Sequence, residues 1–524
     1  MNQNYTTIWK QPAFRRWSGL LAILLLLAPV LGAQTTFTGA VNNDWNNPAN
    51  WDNGLPGPGN DALIPAGKTA VNSGFIFATF SVEIQGTLVN NGTFANLDAI
   101  TNAGTLENAF IGAINNSGDL VNHGSLTNNG TLSNFGTGVL RNDGSLTNFG
   151  QVDNFAEIEN LPAGTFDNVS GTVSNGALIL NRGTWKNGGD LLTTLTFSNL
   201  GTLENTGLLE NSGTLDNEGT LLNFGELKVF NTLTNALGAL LDNRGTLTSS
   251  GTVSNAGQVV SSDSIGNGGQ WSNLPGATFS LSGRMENFSA GVLTNEGHLS
   301  VSGFLKNVGR LDNDPGATLL LQGTLRNGGT FNNRGEVDIQ SGGYLANSAL
   351  LDNRGSLLNR DSLINFGGTL LNFGGIENRK GLRNFGVLEN HHRIDNLGHI
   401  QNINRFENTG ELVNDSEVEN HFCAEFIHDT PHLLRAAFTN NGILRLLQGD
   451  VEVTGGSGVV FDNLFDQPPP PTAVCQDIDF PAGGILKPED VNFGSFSPGC
   501  LIESMSVSPN QFDCEDIGLH QVTL

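Results

Sequence analysis

Nine histidines, 50 acidic residues and 24 basic residues are nearly all the ionisable chemistry in a chain of 524 residues. Any catalytic or metal centre must therefore be gathered from few side chains. Asp338, Asp352, Arg354 and Asp361, with the run His391-His392-Arg393, are the acids and bases a polysaccharide lyase or hydrolase would need on one patch. Adjacent His391 and His392 would point apart at a corner, and His421, His428 and His432 are remote from them, so no metal ligand set is expected. Asp44, Asp52 and Asp61 could offer oxygens to calcium, although their spacing matches no calcium loop. Acids such as Asp153, Glu157, Glu159, Glu204 and Asp216 fill variable repeat slots, the pattern of a solvated face. The sequence thus predicts no catalytic, cofactor-binding or metal residues, with calcium kept as the one cofactor hypothesis.

What would position these side chains is a repeat. Over residues 374–420 asparagine falls on a six-residue beat, from Asn378 and Asn384 to Asn414 and Asn420, with an apolar residue two places before each. The unit is G-[TS]-[LVIF]-x-N-x, as in Gly104-Thr105-Leu106-Glu107-Asn108. Period-2 alternation turns the apolar residue inward, and Asn and Gly tolerate the turn that follows. Each hexad reads as a short strand plus a corner, with asparagines stacked at the corners as in other parallel arrays.

The fold class is therefore all-β, a parallel β-solenoid. Eight-residue intervals occur at Asn108–Asn116, Asn134–Asn142 and Asn160–Asn168, at 26-residue spacing, and Asn295, Leu321 and Asn347 repeat that spacing. Gly374, Gly386, Gly398 and Gly410 recur every twelve residues. If an insert always returns to the same corner, coils of about 24–26 residues built from four hexads follow. Right-handed winding is expected of such four-sided coils. Fifteen such coils would make a rod on the order of 70 Å long. The beat lapses at 187–199 and 259–273, where loops are expected to leave the coil.

The net charge of −26 removes the basic footprint that nucleic acid requires and suits a soluble extracellular surface. Lys10, Arg15 and Arg16 before the apolar run 19–30, then Leu31-Gly32-Ala33, read as a signal peptide over 1–33. No other run is long enough to span a membrane. Residues 34–83 carry Trp45 and Trp51, a Pro/Gly turn cluster and an apolar strand ending at Pro65. This W…NW-x-x-G-x-P…D-x-x-I-P pattern resembles the opening module of exported surface proteins of Bacteroidetes-type bacteria. Its Trp pair is expected to cap the stack rather than to serve as a sugar platform.

The repeats are assigned to 84–420, a C-terminal cap with a short helix to 421–466, and a proline-rich linker to 467–472. In residues 473–524, Ala473-Val474-Cys475, Gly499-Cys500 and Phe512-Asp513-Cys514 resemble the hyalin-repeat (HYR) immunoglobulin-like module. That resemblance implies a partial β-sandwich and a Cys500–Cys514 disulfide, and leaves Cys475 without its usual partner, as in a truncated product. Together these features predict a secreted or cell-surface, adhesin-like and non-catalytic protein. Its partners would be extracellular glycan or matrix components. The alternative is a carbohydrate-active enzyme or carbohydrate-binding protein using one solenoid face.

Overall fold

A computed structural model describes residues 33–461, apart from 422–423, 432–436, 449–450 and 452, and only isolated residues beyond 461. The leader-like segment, the linker, the HYR-like module with Cys500 and Cys514, and the position of the expected cap helix lie outside the described residues.

Nearly every hexad is a four-residue strand with alternating burial, such as Thr202–Asn205 and Thr220–Asn223. The second residue of each is inward and apolar. Leu203, Leu209, Leu215 and Leu221 are fully buried, each contributing roughly 1.5–3 kcal/mol by leaving water. The fourth residue, usually Asn, is also inward and fully buried. The strands form three parallel sheets of 23, 19 and 20 strands, here called faces I, II and III. Face I includes Ala99–Asn102, face II Thr105–Asn108 and face III Ala113–Asn116. From Asn60–Ile64 to Arg405–Asn408 each strand pairs with the strand three places later in sequence, Thr87–Asn90 with Thr105–Asn108 for example. The sheets are open ladders around one shared interior: the face III ladder starts at Phe75–Ala78 and its last strand is Ala437–Asn440.

The solenoid is thus established, but the coil is a triangle of three hexads and not a square of four. Stacked asparagines are separated by 18 residues in plain coils and by up to 22 where turns are inserted. About 20 coils at the spacing of hydrogen-bonded strands give a rod on the order of 90 Å long. The 26-residue spacing has a different cause from the one expected. The insert after Asn108 joins faces II and III, the one after Asn134 joins III and I, and the one after Asn160 joins I and II. At Asn108 and Asn134 the coil step is 20 residues, so a 26-residue interval is one coil and one further hexad. Each insert is a tight turn, closed by bonds such as Gly112 N–H to Ala109 O at 2.8 Å, and successive inserts advance by one corner. The chain does not loop out at 187–199 or 259–273: Asp190–Thr193, Ser264–Asn267 and Gln270–Asn273 stack in register there.

The twelve-residue glycine period also has a steric cause. A Cβ on Gly398 or Gly410 would lie 2.4 or 2.3 Å from the carbonyl oxygen of Lys380 or His392 in the coil beneath. Non-glycine corners sit directly on glycine corners, and the backbone bond beside them lengthens. Arg393 N–H to Gly374 O and Glu417 N–H to Gly398 O are both 3.4 Å, whereas Glu411 N–H to His392 O is 2.6 Å. In an 18-residue coil, a glycine every twelfth residue therefore alternates with side chains at each corner.

Each buried Asn amide is bonded along the axis. Asn199 Nδ2 donates to Asn217 Oδ1 at 2.7 Å and to Thr220 O at 2.9 Å. The carbonyl partner can only accept, so it fixes which way the amide points. On face I this ladder runs unbroken through seventeen asparagines from Asn102 to Asn408 and ends on His428 Nδ1.

Parallel stacking already includes Asn60–Ile64, Thr69–Asn72 and Phe75–Ala78. The segment before it closes the interior: Phe37, Trp45 and Trp51 are at most 5% exposed. Trp51 Nε1–H donates to Trp45 O at 2.8 Å, and Trp45 lies edge-on against the inward Phe94. Buried rings cannot act as a sugar platform, so this geometry agrees with a cap. At the other end stacking continues through Glu425–Asp429, Ile443–Gln448 and Val459–Phe461.

Asn217→Ala should lower stability by about 2–4 kcal/mol in denaturant unfolding, because it leaves buried donors and acceptors in both neighbouring coils unpaired. Gly219→Ala should also be strongly destabilising, since its Cβ would lie 2.1 Å from Gly201 O. Gly375→Ala, with open space at its Cβ, should change stability by less than about 1 kcal/mol.

Candidate functional site

The outward positions are the first and third residues of each strand, and there the sequence varies. Two geometric rules govern what these side chains meet. Residues two apart on one strand share a face, as in Arg405–Glu407 at 2.7 Å and Arg310–Asp312 at 2.7 Å. Residues in register on adjacent coils stack, as in Lys306–Glu286 at 2.7 Å and Arg393–Glu411 at 3.0 Å. Both rules neutralise charge locally.

The acids and bases singled out from sequence are not brought together. Asp338 is on face II, where it pairs with Arg360 at 3.4 Å. Asp352 is on face I, paired with the Arg354 that follows its strand. Asp361 is at the corner between faces II and III, where it accepts from Lys380 Nζ at 2.5 Å and Gly342 N–H at 2.7 Å. The Lys380 hydrogen bond, then the Gly342 N–H, hold the Asp361 carboxyl below its usual range, the wrong direction for a general acid. His391 stacks on Phe373, which carries Arg354 on its other neighbour side, and bonds Thr409 and Glu389. His392 occupies the corner and Arg393 turns to Asp395 and Glu411. Near the N terminus, each carboxylate binds nearby backbone: Asp52 takes Thr36 N–H, Asp61 takes Ser81 N–H and Asp44 takes Asn46 N–H. The Thr36 N–H is the main cause of the lowered Asp52 pKa.

Two groupings were not legible in advance. Six exposed phenylalanines, Phe135, Phe155, Phe230, Phe288, Phe366 and Phe385, directly follow face III strands and so line one corner of the triangle. The second grouping is on face III near its C-terminal end. Stacking places His399 against Glu417 and Gln401 against Glu419, while His421 follows at the corner. Glu419 Oε2 is 3.2 Å from His421 Nε2 and 3.6 Å from His399 Nε2, and Glu417 Oε2 is 3.9 Å from His399 Nε2. An 18-residue register would have found this group; a 24- or 26-residue register scatters it.

Fold and surface together define a three-sided parallel β-solenoid whose chemistry is displayed outward in columns. No family model matches the chain, and no curated protein matches it.

Because its folded pKa is lowered, Asp361 adds stability that is complete above its unfolded pKa and is lost as pH falls through the folded value. The stability difference between wild type and Asp361→Asn should therefore shrink as the unfolding titration moves from about pH 5 to about pH 2. A constant difference would contradict the assignment.

Proposed function

We propose that this chain is an exported, non-catalytic surface or matrix protein whose solenoid acts as a stalk and presents repeated outward columns. The observation that carries the reading is the contrast between inside and outside. Inward positions hold the same Leu and Asn classes coil after coil, while outward acids and bases vary and are matched to their immediate neighbours. A catalytic face needs the opposite arrangement, with unlike groups from several coils aimed at one point. The recurring exposed phenylalanines on one corner add a contact that is weak singly and strong when repeated along a rigid rod. Extracellular glycan or matrix components are the partners such a surface fits, with the HYR-like segment as a spacer.

Incubating the exported protein with immobilised polysaccharides and matrix preparations, while monitoring both retention and new chain ends, tests this. Retention without new ends, strengthened by crosslinked multimers of the protein, is expected. Defined cleavage products from any polysaccharide would overturn it.

A further inference from the structure

We propose that face III between Arg284 and Arg383 is the surface on which the rod holds an acidic polysaccharide, a polymer that repeats a carboxylate on its sugars. This rests on the reading of the solenoid as a glycan-facing rod, and it adds the chemistry of the glycan and its place. The argument starts from a failure of local charge matching. Elsewhere on the strands an outward lysine or arginine meets a carboxylate two residues away or in register on the next coil. Among the described residues, the strand lysines and arginines without an ion pair are Lys186, Arg326 and Arg383, all exposed. Lys186 still stands in register between Asp167 and Glu204. Arg326 instead has Lys306 and Ala346 as register neighbours, and Arg383 has Ile364 and Gln401. Lys306 and Arg284 already share the carboxylate of Glu286, at 2.7 and 3.2 Å, so Arg326 is stacked on a cation with no acid of its own. Like charges in register are unfavourable, and an anion from outside relieves them.

The surroundings define which anion. At the outward positions of the six strands from Arg284–Asn287 to Gly381–Asn384, the cations Arg284, Lys306, Arg326 and Arg383 stand against one carboxylate, Glu286. That excess lies on a chain whose net charge is −26. At the corner leading into these strands the one acid, Asp361, is held by Lys380. The corner leaving them is uncharged and carries the exposed Phe288, Phe366 and Phe385. Phe304 lies between two guanidiniums, with Arg284 at 5.4 Å and Arg326 at 5.6 Å from its ring centroid, which holds both heads over the face. Tyr344 stands two coils beyond Phe304 in the same column. Cations beside apolar rings match a carboxylated sugar, which presents a charged group and apolar C–H faces together. Arg284 and Arg383 are five coil steps apart, about 24 Å at the strand spacing, which is room for several sugars in line. Two other anionic partners fit less well. Nucleic acid binding draws on many phosphate contacts, and four cations beside a carboxylate on an acidic rod supply few. A second copy of the chain brings the same net negative charge, which repels at long range.

Retention of the exported full-length chain on immobilised polygalacturonate tests this, with neutral dextran and single-stranded DNA as the other matrices. Polygalacturonate should retain it most tightly, and rising salt should release it. The double variant Arg326→Gln/Arg383→Gln should weaken retention by about fivefold or more, since each exposed contact is small but the contacts add along the polymer. Lys186→Gln should be retained as wild type is. Circular dichroism of both variants should match wild type, because all three side chains are outward and exposed. Equal retention on dextran, unchanged in the double variant, would overturn this site and leave the rod a glycan-binding surface. No retention on either polysaccharide would overturn both. Tighter retention on DNA, or an equal loss in Lys186→Gln, would also overturn the assignment.

Discussion

A primary amide in a dry interior must find partners for two N–H groups and an oxygen, and a single hexad coil offers none of its own kind. The asparagines solve this only by stacking: each donates to the amide and to a backbone carbonyl of the following coil. At the corners the backbone bonds reach back, with the Thr105 N–H donating to Gly86 O in the preceding coil. Because unpaired buried amides are costly, register is fixed wherever the ladder runs, and stability becomes a property of neighbouring coils.

The interruptions follow the same rule. Asn96, Asn102, Asn211 and Asn267 each have an orphaned side-chain oxygen. Their partners in the preceding coil are Ala78, Ile84, Thr193 and Ser249, none of which donates to them. On face II the ladder reaches Ser261 and is then replaced in four successive coils by Leu281, Val301, Leu321 and Ile339, all buried. Replacing a whole run leaves few unpaired amides, whereas a single replacement leaves one on each side. The Leu321 noticed as an irregular asparagine belongs to this apolar run.

The same stacking constraint governs the corners and the surface. Extra residues enter as closed two-residue turns at all three corners, most often between faces I and II, as at Leu161–Gly164, Ala236–Ala239, Leu274–Ala277 and Asp314–Ala317. Outward side chains meet only their strand neighbours and the coils directly above and below, which pairs most charges locally. It also lines phenylalanines along one corner and brings His399 to Glu417 and Glu419. Function on such a scaffold comes from columns, and a site forms where adjacent coils happen to carry complementary side chains.

The sequence by itself determined the strand unit, the inward apolar columns and the parallel solenoid, whereas it set the asparagines at the corners and the structure turns them into the buried interior. The first three are set by the spacing of residues within one hexad, as in Thr202–Asn205. The burial of Trp45 and Trp51 was readable because large aromatics beside a repeat array need a place to be buried. The number of hexads per coil was not readable, since a hexad closes equally well into three sides or four and the inserts step between corners. Only the three-dimensional stacking decided that, through the steric need for glycine beneath side chains and the axial pairing of amides. With the coil length came every cross-coil neighbour, including the His399, Glu419 and His421 group, because residues eighteen or more apart become adjacent only once the register is known.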